Sequence, residues 1–87
     1  MKKLKQIESR LNAANAQLLH AVHQTTVSRS AATVRAVIRH AREFIRAFWL
    51  AVEAFADVGY PTADKLARWE TGRATAEQQM RNLGAAV

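Results

Sequence analysis

Residues 34–58, VRAVIRHAREFIRAFWLAVEAFADV, carry apolar side chains at alternating steps of three and four. This spacing places side chains in one stripe along an α-helix and is typical of helices that pack on other helices. Ile38, Ile45 and Val52 widen the stripe, so this helix should contact more than one neighbour and occupy the centre of the fold. The residues that form the stripe, or seam, are Val34, Val37, Ala41, Phe44, Phe48, Ala51, Phe55 and Val58.

The same spacing recurs on both sides of this segment. The preceding part of the chain repeats it without interruption at Leu4, Ile7, Leu11, Ala14, Leu18 and Ala21. The following part has it at Leu66, Trp69, Ala76, Met80 and Leu83. In that third segment, Arg73 stands where an apolar residue would be expected, so its register is less regular.

Two short segments are predicted to separate the helices. Residues 25–30, TTVSRS, are rich in hydroxyl side chains, and Ser28 or Ser30 can cap a new helix. Further along, Gly59 can end a helix in the left-handed conformation and Pro61 suits a first helical turn. The sequence therefore predicts helices near residues 3–24, 30–58 and 61–83.

A further break is expected inside the third helix, at residues 71–75. Gly72 is a poor helix former, and Thr75 and Gln78 have the spacing of a capping box. We expect a kink or short loop there.

The predicted fold class is all-α, in one domain over residues 1–87. Short turns between long helices favour antiparallel neighbours, so we expect an antiparallel three-helix bundle, or a long helical hairpin with coiled-coil-like packing that dimerises. A chain of 87 residues buries only about 60–65% of its unfolded surface, so a homo-oligomer would gain stability.

Composition limits the partners and the location. The net charge of +6, from 13 Lys plus Arg against 7 Asp plus Glu, favours acidic partners such as nucleic acid or an acidic protein surface. The absence of cysteine excludes a disulfide scaffold and fits the cytoplasm. No segment approaches the roughly 20 apolar residues that cross a bilayer. The basic start of the chain is amphipathic, but it lacks the large aromatic residues of a membrane anchor. We expect a soluble protein with no membrane association.

A row of arginines is the strongest candidate for a functional surface. Arg35, Arg39, Arg42 and Arg46 recur at steps of four, three and four, so they project from one helix face over about 16 Å. The alternative is an ordinary solvated face, because charge at this spacing is common on amphipathic helices.

Trp49 and Leu50 extend this row. Residues 47–52, AFWLAV, are apolar almost all round the helix, so another surface must cover them. If the third helix does so, Trp49 is a core residue. If it does not, Trp49 beside Arg42 and Arg46 has the composition of an interface hot spot. The predicted partner-binding residues are Arg35, Arg39, Arg42, Arg46, Trp49 and Leu50.

These patterns indicate a binding protein rather than an enzyme. The leading hypothesis is a small cytoplasmic adaptor or inhibitor, of the kind phages and mobile elements encode, that docks the arginines and Trp49 on an acidic protein surface. The alternative is a DNA- or RNA-binding accessory or regulatory protein that uses the same arginines on phosphates. Residues 55–59 and 66–73 resemble the recognition-helix region of repressor-type helix-turn-helix domains, over less than a quarter of the chain, and this resemblance implies DNA binding. Pro61 departs from that pattern.

No catalytic, cofactor or metal site is expected. His20 with His23, and His40 with Glu43, have the i, i+3 spacing of metal ligands, but the two pairs lie on different predicted helices. The sequence contains no glycine-rich phosphate loop and no nucleophile elbow.

Overall fold

The computed structural model describes residues 2–56, 58–59 and 62–85, and the helices over these residues confirm the all-α class. They are α1 (Lys2–Val27), α2 (Ala31–Ala56) and α3 (Ala63–Asn82). The longest dimension, 42 Å, is close to the roughly 39 Å length of a 26-residue helix, so the helices run along one common axis. Over the part of the chain described, no helix combines the length and apolar character needed to cross a membrane.

The turn between α1 and α2 is short and capped. The hydroxyl of Ser30 accepts a hydrogen bond from the Thr33 amide at 3.2 Å, and the Thr33 hydroxyl accepts one from the Ser30 amide at 2.8 Å. This reciprocal pair fixes the start of α2, where Ser30 was one of two predicted caps. The first helix is longer than predicted, because the hydroxyls of Thr25 and Thr26 bond to carbonyls three residues back and so remain within it.

The second turn contains the predicted glycine. Gly59 has φ 68°, the left-handed conformation that ends a helix, and Thr62 caps α3 by accepting the Lys65 amide. The predicted role of Pro61 lies outside the described residues. Val58 was counted in the apolar seam, and this was wrong, because α2 ends at Ala56 and the Val58 side chain is exposed.

The core lies on both sides of α2, which packs against α1 and against α3. The ion pair between Glu8, early in α1, and Lys65, early in α3, shows that these two helices point the same way. The seam residues therefore pack against one another within a single chain. Leu11, Leu18, Val37, Phe44, Phe48 and Phe55 are buried, and Leu4, Ile7 and Val34 are half-buried at its margins.

The predicted break at residues 71–75 is wrong, because α3 continues from Ala63 to Asn82. The hydroxyl of Thr75 donates to the Thr71 carbonyl at 2.9 Å, so Thr75 does not cap a new helix. Gly72 has a packing role instead. A Cβ atom at this position would lie 2.7 Å from Cζ of Phe44, so the absence of a side chain lets α3 approach α2.

The helix-turn-helix resemblance is not supported by the packing of α3. Trp69 is only 7% exposed and its ring lies 5.7 Å from that of Phe55, while Gly72 lies against Phe44. These contacts show α3 lying antiparallel along α2, whereas the helices of a helix-turn-helix motif cross at about 90–120°.

Candidate functional site

The four predicted arginines lie together on the outer side of α2. Arg35, Arg39, Arg42 and Arg46 are all exposed, on the side of the helix opposite its buried seam. We call this surface the arginine face. It surrounds a shallow trough of about 810 Å³, in which Ala32 and Ala36 leave room between the long side chains. The trough is open to solvent along about three turns of helix.

The arginine face forms no ion pair within the described part of the chain. None of its guanidinium groups lies within 4.0 Å of a described carboxylate. Glu43 is the nearest acid in the sequence, and its carboxylate lies 3.3 Å from Nδ1 of His40 instead. Each guanidinium group offers five donors in a planar fork that matches a carboxylate or a phosphate. The face can therefore bind an anionic surface without first breaking an internal ion pair.

Trp49 and Leu50 continue the arginine face, and α3 does not bury them. Trp49 is 55% exposed and Leu50 is 47% exposed, so the alternative that Trp49 is a core residue was wrong. Trp69 takes that position in the core, next to Phe55. The exposed pair lies one turn beyond Arg46 on the same side of the helix.

Arg73 explains how Trp49 is held in an exposed position. The Cζ atom of Arg73 lies 5.8 Å from the centroid of the Trp49 ring and 5.4 Å from that of Phe48. Its guanidinium group donates to Glu77 at 2.9 Å. The Phe48 and Trp49 rings also contact each other edge to face, with centroids 5.1 Å apart. These two contacts orient the indole, so it has less freedom to lose when a partner covers it.

A small cavity lies between α1 and α2, next to Leu50. Its floor consists of Ala13, Ala14 and Ala47, and Leu50 forms one wall. We call it the alanine pocket. It has a volume of about 340 Å³, and its rim is formed by Arg10, Gln17, Glu43 and Arg46. Sequence reasoning missed the pocket, because the pattern within one helix does not show which α1 residues lie beside Leu50.

A third concavity separates α1 from α3 and differs in character. Phe44 and Trp69 contribute to its apolar floor, but both are buried by their own neighbours. Its rim includes the ion pair of Lys65 with Glu8, at 2.6 Å, and the exposed Arg68. This groove carries one arginine, whereas the trough on α2 carries four.

The histidines do not assemble into a metal site in the described structure. His20 and His23 are exposed on α1, and His40 contacts Glu43 on α2. Among the side chains described, no three histidines or carboxylates are close enough to hold one ion.

Comparison with known proteins gives no match among family models, curated proteins or solved structures.

Proposed function

We propose that this chain is a small helical adaptor or inhibitor that acts by binding, not by catalysis, and docks on an acidic surface of another protein. The supporting observation is the combination on α2: four arginines with no described carboxylate partner, followed on the same side by exposed Trp49 and Leu50. Trp and Arg are the residues most enriched at the energetic centres of protein interfaces.

The two parts of this surface would contribute differently to binding. Covering the exposed half of an indole removes about 100 Å² of largely apolar surface from water, which contributes about 2.5 kcal/mol. Pairs between exposed arginines and carboxylates add less affinity, but they accelerate association and select the partner by charge. Trp49 would therefore supply much of the affinity, and the arginines would supply the orientation.

The alternative partner is nucleic acid, and the same four exposed arginines favour it. If all four bound phosphates, log K would fall with log salt at a slope of about −3.6. However, α2 offers base edges only arginine and no Asn, Gln or Ser, and a phosphate backbone would leave Trp49 and Leu50 without an apolar contact. An acidic protein surface therefore accounts for both the arginines and the exposed apolar pair, whereas a phosphate backbone accounts only for the arginines.

Trp49→Ala tests the protein hypothesis against the nucleic-acid alternative. Two labelled probes are compared by fluorescence anisotropy between about 50 and 200 mM salt: a glutamate-rich amphipathic helical peptide of about 20 residues, and a random DNA duplex of about 20 base pairs. We expect tighter binding to the peptide, and a loss of about 30-fold in Trp49→Ala, the size of a hot-spot effect.

Leu19→Ala is the control for Trp49→Ala, because Leu19 is an equally exposed apolar residue away from the arginine face. It should leave both affinities unchanged. Tighter binding of the duplex than of the peptide throughout this salt range, with no effect of Trp49→Ala, would favour the nucleic-acid alternative and reject the proposal.

We also propose that the chain self-associates, but not through the apolar seam. Because the seam is buried within one chain, a dimer would have to form on apolar side chains outside the core, such as Leu19 and Val27 of α1. Such a dimer would leave the arginine face free.

A further inference from the structure

We propose that the alanine pocket receives one large apolar side chain of an acidic amphipathic helix, while the carboxylates of that helix pair with the arginine face. This inference rests on the proposed function and specifies the partner segment. The pocket would then determine which acidic helices bind, because the arginines alone do not distinguish among them.

The shape of the pocket suits a side chain. Ala14 and Ala47 are buried where α1 meets α2, and exposed Ala13 extends the floor towards solvent. Alanines at these positions leave a gap of about 340 Å³ that larger residues would fill. Pockets that hold small molecules measure about 300–1,000 Å³ and enclose most of the ligand. The alanine pocket is at the lower end of this range and open to one side, so it suits a projecting side chain better than a free ligand.

The charges around the pocket favour an acidic neighbour. Arg10 of α1 and Arg46 of α2 both contribute to the rim. The acid on the rim, Glu43, lies against His40. An apolar floor beneath arginines fits an apolar residue flanked by carboxylates, because the apolar contact and the ion pairs then form together.

The spacing of the arginines favours a helix as the form of the partner. They recur at steps of four, three and four over about 16 Å, which is three turns. A helix lying alongside α2 with carboxylates at the same steps would meet each arginine in turn. Its apolar residue would reach the pocket beside Arg46, at the end of the row where Leu50 forms the wall.

A pair of peptides tests the pocket. Both are acidic helices of about 20 residues with glutamates at steps of three and four, and they differ in having either leucine or alanine once in every heptad. Registers that differ by a whole heptad then place one such residue at the same point along α2. For the wild-type protein, we expect the leucine peptide to bind about tenfold more tightly in fluorescence anisotropy.

Two matched variants assign this preference to the pocket. Ala13→Phe adds a ring at the exposed side of the floor, and Ala16→Phe adds the same ring at an exposed alanine of α1 outside the pocket. The tenfold preference should disappear in Ala13→Phe and persist in Ala16→Phe. Leu50→Ala, which removes the wall, should also reduce the preference, with Leu19→Ala as its control. Far-UV circular dichroism verifies that each variant is folded.

The outcomes separate this inference from the proposed function. If wild-type protein binds both peptides equally, and Trp49→Ala weakens both, the pocket inference is overturned and the docking function stands. A preference for leucine that survives both Ala13→Phe and Leu50→Ala also overturns the inference. If neither peptide binds at low salt, both proposals fail.

Discussion

Charge reversal at Arg42 and Arg46 is expected to weaken binding of the acidic peptide by at least about 100-fold. Arg42→Glu with Arg46→Glu removes two attractive pairs and places two repulsive groups against the carboxylates of the peptide. Both arginines are exposed and neither pairs with a described carboxylate, so the bundle loses no internal ion pair. The helix should remain stable, because a glutamate at position 42 would face Arg39 one turn away.

The matched control is Arg29→Glu with Arg68→Glu. Arg29 lies in the turn between α1 and α2, Arg68 lies on α3, and both are exposed. Reversing these two charges lowers the net charge of +6 by the same amount as reversing Arg42 and Arg46. We expect it to weaken binding by less than about tenfold, through the long-range field alone. Equal losses in the two double variants, measured by anisotropy, would mean that binding depends on net charge and not on the arginine face.

Gly72→Leu is expected to lower the free energy of unfolding by about 3 kcal/mol. A Cβ at this position would lie 2.7 Å from Cζ of Phe44, whose ring is buried, so leucine must push α3 away from α2. A domain of this size has a total stability of only about 4–13 kcal/mol. Urea unfolding followed by circular dichroism measures the loss.

Ala74→Leu is the control for Gly72→Leu, because Ala74 is an exposed position of the same helix and should tolerate leucine. If both variants are equally stable, close contact between Gly72 and Phe44 does not hold α3 in place. Combining Gly72→Leu with Phe44→Ala provides a second test. The space left by the ring should accommodate the leucine, so the two changes together should cost less than their sum.

The spacing of the apolar residues was sufficient to predict the fold class and the central position of α2, because it indicates which side of a helix is buried. It could not predict the role of Gly72. Glycine in a helix is consistent with either a break or a close approach, and the difference depends on Phe44 of another helix. The role of Arg73 could not be predicted either, since its contacts with Trp49 and Phe48 join two different helices.

The arginine face could be predicted because all its members belong to one helix, where i, i+3 and i, i+4 spacing determines which side chains are neighbours. The exposure of Trp49 was left open by the sequence, because it depends on how far α3 reaches. The alanine pocket combines α1 and α2 residues, and alanines give no distinctive signal in either helix alone.

Binding of an acidic helix to the outer side of α2 can be observed residue by residue in a two-dimensional ¹⁵N–¹H NMR titration with the leucine peptide. We expect chemical-shift changes on α2 from Arg35 to Leu50, on the indole N–H of Trp49, and on α1 around Arg10 and Ala13. Changes concentrated instead along the groove between α1 and α3, at Leu19, Arg68 and Thr75, would contradict it.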